Sequence, residues 1–288
     1  MNNRHAYLIL AHNEPEILKI LVEMIDDERN DIYIHIDKKS DINQFLPINV
    51  HHSNLTFTER IKVNWGGWSM VEATLLLLST ARKKGGYGYY HLLSGVDLPL
   101  KTQAYIHSKL DASPTLEYFD FSFSEHNKEA LINCTEWRYI LREYVHDSLV
   151  IRRKLCSFAR KCYLQFQKIL NLKKNYNVDL VKASNWFSVT EACCDYILSK
   201  ASWLKDNFKY THVPDEIAIP TLVFNSNFYN NISKDSIRKI DWNRGGPYTW
   251  CKDDLEELLT SPAFFARKFS SKDIDFIFNI KLLVKKSS

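Results

Sequence analysis

Ala6-Tyr7-Leu8-Ile9-Leu10, the segment Asn13-Glu14-Pro15 running on to Ile25, and Asp31-Ile32-Tyr33-Ile34-His35-Ile36 decide the fold of this chain. The first run is continuously apolar, as a strand covered on both faces must be. Asn13 is positioned to cap a helix from Glu14 to Ile25, with Pro15 in the first turn, where its missing N–H costs nothing. The third segment is a second buried strand, so the chain opens as a βαβ unit. Working outward, Leu55 to Phe57 reads as a short strand, Ser69 to Lys83 as a helix and Tyr89 to Leu93 as another buried strand. This alternation predicts an α/β fold with a mostly parallel central sheet flanked by helices, and a ligand crevice at the carboxyl ends of its strands. The loops expected to converge there are Ala11-His12-Asn13-Glu14, Asp37-Lys38-Lys39-Ser40 and Ser94-Gly95-Val96-Asp97-Leu98-Pro99.

With 288 residues the chain can bury a large core, and it reads as a single domain, residues 1–288, in which 1–125 form a nucleotide-binding half and 126–288 an acceptor-binding and catalytic half. The net charge of +4 is mild, and no nucleic-acid motif accompanies it, so no nucleic-acid partner is expected; a small anionic substrate is compatible. Cys193 and Cys194 are adjacent, no CxxC pair occurs, and the cysteines read as mostly free thiols in a reducing compartment. The N-terminal apolar run is too short for a signal peptide, and no segment approaches the roughly 18 apolar residues of a membrane span. A cytoplasmic protein is therefore expected, at most peripheral to the inner face of a membrane; glycosylation-type triplets at Asn54, Asn133 and Asn231 then carry no weight.

Beyond the opening, a short helix is expected over residues 104 to 112 and a strand from Leu116 to Phe123. Glu136 to Lys174 has a helical pattern with many Arg and Lys interleaved with Leu, Phe and Tyr. It reads either as an amphipathic surface hairpin or as a contact with a membrane surface.

Chemistry concentrates toward the C-terminus. Thr211-His212-Val213-Pro214-Asp215-Glu216 offers a carboxylate that can take a proton, while Trp242-Asn243-Arg244 and Arg267-Lys268-Phe269 offer fixed cations. Sugar transfer from a nucleotide donor needs both, because the acceptor hydroxyl loses a proton while the leaving diphosphate gains charge. Each residue also has a plainer reading: Glu216 as a helix-start acid, Arg244 in a loop salt bridge, Lys268 as an exposed lysine. His12 and His35 sit beside strands without a third metal ligand at convincing spacing. Asp273-Ile274-Asp275, the one Asp-x-Asp match, falls in a C-terminal apolar pattern and reads as a solvated helix face. Asp97 is expected to fix its own turn before Pro99, and Asp37 either caps its strand or contacts a nucleotide. Gly66 and Gly67, between Trp65 and Trp68, would let the backbone pass close to a donor; Trp242 and Glu117 are candidate acceptor contacts.

Ala11-His12-Asn13, Tyr33-Ile34-His35-Ile36-Asp37, Trp65-Gly66-Gly67-Trp68-Ser69, the Leu93 to Pro99 segment, Pro214-Asp215-Glu216, Asp241-Trp242-Asn243-Arg244-Gly245 and Phe265-Ala266-Arg267-Lys268-Phe269 occur in the order seen in core-2/I-branching glycosyltransferases (glycosyltransferase family 14). The chain resembles that family over roughly residues 6 to 270, and Trp65-Gly66-Gly67 looks more like its peptide O-xylosyltransferase branch. The resemblance implies a GT-A type, Rossmann-like nucleotide-sugar transferase that inverts the anomeric centre and needs no divalent metal or other cofactor. It puts the catalytic base on Glu216, nucleotide contact on Asp37, and diphosphate contact on Arg244 and Lys268, with Arg267 a substitute for Lys268. His12, Trp65 and Gly66 complete the candidate nucleotide-sugar site. The expected partners are a UDP-sugar donor, UDP-GlcNAc ahead of UDP-xylose, and a glycan or lipid-linked glycan acceptor, in a bacterial enzyme of capsule or lipopolysaccharide assembly. A catalytically silent glycan- or membrane-binding protein on the same scaffold is the alternative of a different class.

Overall fold

The computed structural model describes residues 4–121, 125–145 and 149–286. Strand β1 (Arg4–Ala11), helix α1 (Pro15–Ile25) and strand β2 (Asn30–Ile36) form the expected βαβ opening. They are followed by β3 (Asn54–Phe57), α2 (Trp68–Lys84), β4 (Tyr87–Ser94), β5 (Asp97–Pro99), α3 (Gln103–Asp111), β6 (Tyr118–Phe121), α4 (Glu125–Thr135) and α5 (Val150–Ile169). The chain closes with β7 (Ala183–Thr190), α6 (Glu191–Ser199), α7 (Ala201–Phe208), α8 (Ala218–Phe224), β8 (Arg238–Ile240), α9 (Leu255–Thr260), β9 (Phe265–Arg267) and α10 (Ile274–Lys286).

The main sheet has strand order β3-β2-β1-β4-β7-β6, with the first four strands parallel and β7 antiparallel to both neighbours. The result is a mixed α/β architecture around a mostly parallel sheet. Because β7 sits between β4 and β6, the division expected near residue 125 cuts across one sheet. A second small sheet, β5-β9-β8, extends the carboxyl end of β4.

Alternation along the strands splits the core into two layers. Tyr7, Ile9, Ile32, Ile34 and Leu93 face α1, α3 and α10, while Ala6, Leu8, Leu10, Tyr33 and Leu92 face α2, α6 and α8. Both faces of the sheet are thus covered, which is why its strands read as unbroken apolar runs. Helix α1 buries Ile17, Leu18, Ile20, Leu21, Val22 and Ile25, each worth roughly 1.5–3 kcal/mol against exposure, so Leu21→Asp would detach it.

Two expectations are corrected. The α1 N-cap is Glu14, not Asn13, with left-handed backbone (φ 52°). That turn aims its carboxylate at the C-terminal segment, where it accepts from Ser270 Oγ (2.9 Å) and Ser271 N (2.8 Å). The segment from Glu136 to Lys174, read as a helical hairpin, instead follows α4 as a loop with one 3-10 turn at Arg142–Tyr144 and then the single helix α5, with residues 146–148 outside the described residues. The strand expected to reach Phe123 is described only to Phe121; residues 122–124 lie outside the described residues. The six cysteines are free thiols, and among the described residues no helix is long and apolar enough to cross a membrane.

Candidate active site

Strands β1, β2 and β4 end side by side, and their loops build one edge. The Asp37 amide donates to Ala11 O (2.8 Å), tying two strand ends together. Its buried carboxylate accepts from Lys39 N (2.9 Å) and Val63 N (3.3 Å) and pairs with Lys39 Nζ at 3.5 Å. His12 lies on the next loop, its carbonyl accepting from Ser40 Oγ at 2.6 Å. Its pKa is lowered by desolvation and by Arg267 and Lys39, against the pull of Asp37. His12, Asp37 and Arg267 therefore share one electrostatic neighbourhood.

At the end of β4, Asp97 fixes its own turn: Ser94 N donates to Oδ2 (2.8 Å) and Ser94 Oγ to Oδ1 (2.5 Å). Arg267 Nη1 lies 3.0 Å from Asp97 Oδ1, also meets Ser94 Oγ, and its guanidinium stands 4.5 Å over the Trp186 ring. Charge pairing on one side and ring stacking on the other hold this cation rigidly. The backbone of Lys268 is fixed between Tyr248 O and Trp250 N, and its ammonium makes no ion pair among the described residues.

The third wall is the Pro214–Glu216 turn, a 3-10 turn separate from α8 and entered through Val213 at φ 47°. Glu216 Oε2 pairs with Lys182 Nζ at 2.9 Å, just before β7. Both line a cleft of about 1070 Å³ with Phe119, Asp120, Tyr229, Arg238 and Trp242. Arg238 is buried where β4 and β7 separate, donating to Leu92 O (3.3 Å), Phe187 O (2.5 Å) and Ser188 Oγ (3.0 Å). It satisfies carbonyls that the ladder has released, so the sheet can split and leave the cleft open. Asp215 turns inward, with Oδ1 sealed and without a hydrogen bond. Desolvation and the adjacent Glu216 charge push its pKa up to about 7. His212 is held at about 4 by desolvation and by Arg142 and Lys182, so it is neutral near pH 7.

Gly66 has φ +67°, and a Cβ there would meet Arg142 Nη2 at 2.9 Å; one at Gly67 would meet Glu143 Oε1 at 2.6 Å. The close approach these glycines permit is taken up by the Arg142–Tyr144 turn. Glu143 accepts from Ser69 N (3.1 Å), Ser69 Oγ (2.7 Å) and Asn64 Nδ2 (2.9 Å) at the start of α2. Trp65 is exposed beside it. A second cleft of about 920 Å³, lined by Lys39, Lys62, Arg142 and Lys209 among others, joins this corner to the Asp37 loop.

Two candidates lie apart from these walls. Glu117 is 1% exposed. Its oxygens accept from Thr190 N (2.8 Å) and Thr190 Oγ1 (2.6 Å), the N-cap of α6, and desolvation raises its pKa to about 7. It sits inside the molecule, not on a cleft wall. Arg244 is engaged by Asp241 (2.5 Å), Asp254 (2.6 Å) and Glu257 (3.2 Å) and stacks 4.0 Å from the Tyr248 ring centroid. The loop salt bridge is therefore present.

His35 Nε2 accepts from Ile61 N (3.1 Å), which uses its lone pair. Among the described residues one group of potential metal ligands, His5, His107 and Asp111, lies at the opposite edge of the sheet. There the two imidazoles stack face to face (3.8 Å, 17°), so their in-plane lone pairs do not converge on one ion. Asp273 Oδ1 accepts from Phe276 N (3.3 Å) at the start of α10, as a helix cap.

Sequence reasoning missed Lys182 and Arg238. Neither belongs to a motif; each takes its place only through the pairing of β7 with β4.

A family model described as "Core-2/I-Branching enzyme" matches residues 5–261. The chain is similar to "Xylosyltransferase" of Ciona intestinalis, 24% identical over an alignment 293 residues long that covers 92% of this chain and 32% of that protein. It is 22% identical over 298 residues to "Xylosyltransferase 2" of Rattus norvegicus and of Homo sapiens, covering 93% of this chain and 32% of each. The chain thus spans about a third of the length of these curated relatives. Among solved structures, mouse xyloside xylosyltransferase 1 in its apo form aligns with a TM-score of 0.40 and 9% identity, over 91% of this chain and 97% of that one.

Proposed function

The chain belongs to the Core-2/I-Branching enzyme family of glycosyltransferases, and on that premise we propose that it moves a sugar from a UDP-sugar to a glycan hydroxyl, with inversion, using Glu216 as base. The carrying observation is that Glu216 and Trp242 line one open cleft, with Lys182 orienting the carboxylate at 2.9 Å. The acceptor hydroxyl enters that cleft and its sugar ring stacks on Trp242. Its oxygen forms a bond to the anomeric carbon, the carbon–phosphate-oxygen bond breaks, the proton passes to Glu216 and the electron pair leaves with UDP. The nucleotide lies along the His12–Asp37 edge toward Trp65 and Gly66.

Arg267 and Lys268 face the departing diphosphate. Arg244, which the family pattern also assigns to it, must first exchange carboxylates for phosphate. Charge-assisted hydrogen bonds from such cations supply the stabilisation that a metal ion supplies elsewhere. The acids at this edge support the reading, since Asp37 and Asp97 already hold N–H, O–H and cationic partners.

UDP-GlcNAc is the donor on the sequence reading; the names of the relatives favour UDP-xylose as the second. Both are tested together, by release of UDP from each donor with a panel of glycans, in EDTA and with added Mn²⁺. Turnover of one donor at full rate in EDTA is expected. Activity restored by Mn²⁺ alone would overturn the cation account, and UDP binding without turnover of any donor would favour a silent binding protein.

A further inference from the structure

Helix α5 is amphipathic the wrong way round for a helix that belongs to a core. At 100° per residue, Ile151, Leu155, Phe158, Cys162, Phe166 and Ile169 fall within one narrow sector, at spacings i, i+4, i+7, i+11, i+15 and i+18. That sector faces outward: its large apolar members are 52% to 81% exposed, and Cys162 is exposed as well. The opposite face is the one that docks. Gln167 is buried there, and it donates to Arg138 O and accepts from Arg138 N, both at 3.0 Å. The exposed apolar row continues past the helix through Leu170 and Leu172.

Charge identifies what this row faces. From residue 149 to 174 there is no Asp or Glu, against eight Arg and Lys. Lys154, Lys161 and Lys168, seven residues apart, form a cationic rail along one flank of the apolar row, and all three are exposed. A second copy of this helix would bring like charges together, and a neutral apolar partner would leave the rail unmatched. An anionic bilayer surface satisfies both features at once, since lipid phosphates meet the lysines while Leu and Phe side chains enter the acyl boundary.

We propose that α5 is a peripheral membrane anchor that lies in the surface plane of an anionic lipid bilayer, its outward apolar row immersed. The proposal is independent of the transfer reading, because its test measures binding and not turnover.

The test is co-sedimentation of the full chain with vesicles of phosphatidylcholine alone or with a quarter phosphatidylglycerol. Anionic vesicles are expected to bind at least about tenfold more tightly, and the preference should shrink in high salt. Leu155→Asp with Phe158→Asp should abolish binding with an unchanged melting temperature, since neither side chain packs inside. Lys154→Gln, Lys161→Gln and Lys168→Gln together should erase the preference for anionic lipid. Equal binding to both vesicles, or retention of binding in the Asp variant, would overturn the proposal. So would a dimer in gel filtration that the Asp variant dissociates while vesicles bind neither protein.

Discussion

Glu216 and Glu117 are the same side chain in two surroundings. Glu216 stands on the wall of an open cleft, paired with Lys182. Glu117 is sealed, its oxygens saturated by Thr190, and it serves the N-cap of α6. Two arginines repeat the contrast. Arg267 is gripped by Asp97 and Trp186 at the strand ends, whereas Arg244 is more exposed and shared among several acids. Residue type tells what chemistry is available; the partners already in place tell how much of it is left for a ligand.

The largest effect on donor binding is expected at Arg267. Arg267→Ala leaves the Asp97 carboxylate buried without its cation, which costs about 3 kcal/mol of stability and lowers UDP affinity about a hundredfold. Urea unfolding and calorimetry with UDP measure both. Unchanged UDP affinity would remove Arg267 from the donor site and erase its contrast with Arg244.

Glu117 should show itself in the pH dependence of stability. Its folded-state pKa, about 7, lies above the ordinary 4.5, so its contribution is complete below about pH 4.5 and is lost as pH rises through 7, by about 3 kcal/mol. Asp215, also raised to about 7, acts in the same direction. Glu117→Gln should flatten the decline between pH 5 and 8 while leaving the transfer rate within about threefold. Parallel pH profiles for the two proteins would show that Glu117 is not the sealed group described above.

Arg244→Ala should leave stability nearly unchanged, because its pairs are partly exposed and screened. Its loss of UDP affinity should be about tenfold, smaller than that of Arg267→Ala. A larger loss would show that the loop rearranges fully around the diphosphate. Lys182→Met is the mildest change: stability within about 1 kcal/mol and kcat down about three- to tenfold as Glu216 loses its orienting partner.

The βαβ opening was legible because buried parallel strands and an amphipathic helix leave periodic traces in a short window, and the motif residues were legible because each sits in a compact segment. What escaped depends on distant partners. Glu117 looks like any strand acid until Thr190, on β7, folds against it. Lys182 gains its role only from the position of β7 beside the Pro214–Glu216 turn. Asn13 was the better local cap, yet Glu14 takes the N-cap position of α1 without a side-chain cap, its carboxylate instead reaching Ser270 and Ser271 at the far end of the chain. The period of α5 marked a helix but not which face turns inward, and Gln167 decided that against the apolar side.

The central claim is that Glu216 takes the acceptor proton, and Glu216→Gln with kcat and UDP affinity measured side by side tests it most directly. The amide keeps the shape and the cleft but cannot accept the proton, so kcat should fall by about 10²–10⁴ while UDP binds within about twofold of the parent. Turnover near the parent rate would place the base elsewhere and contradict the account.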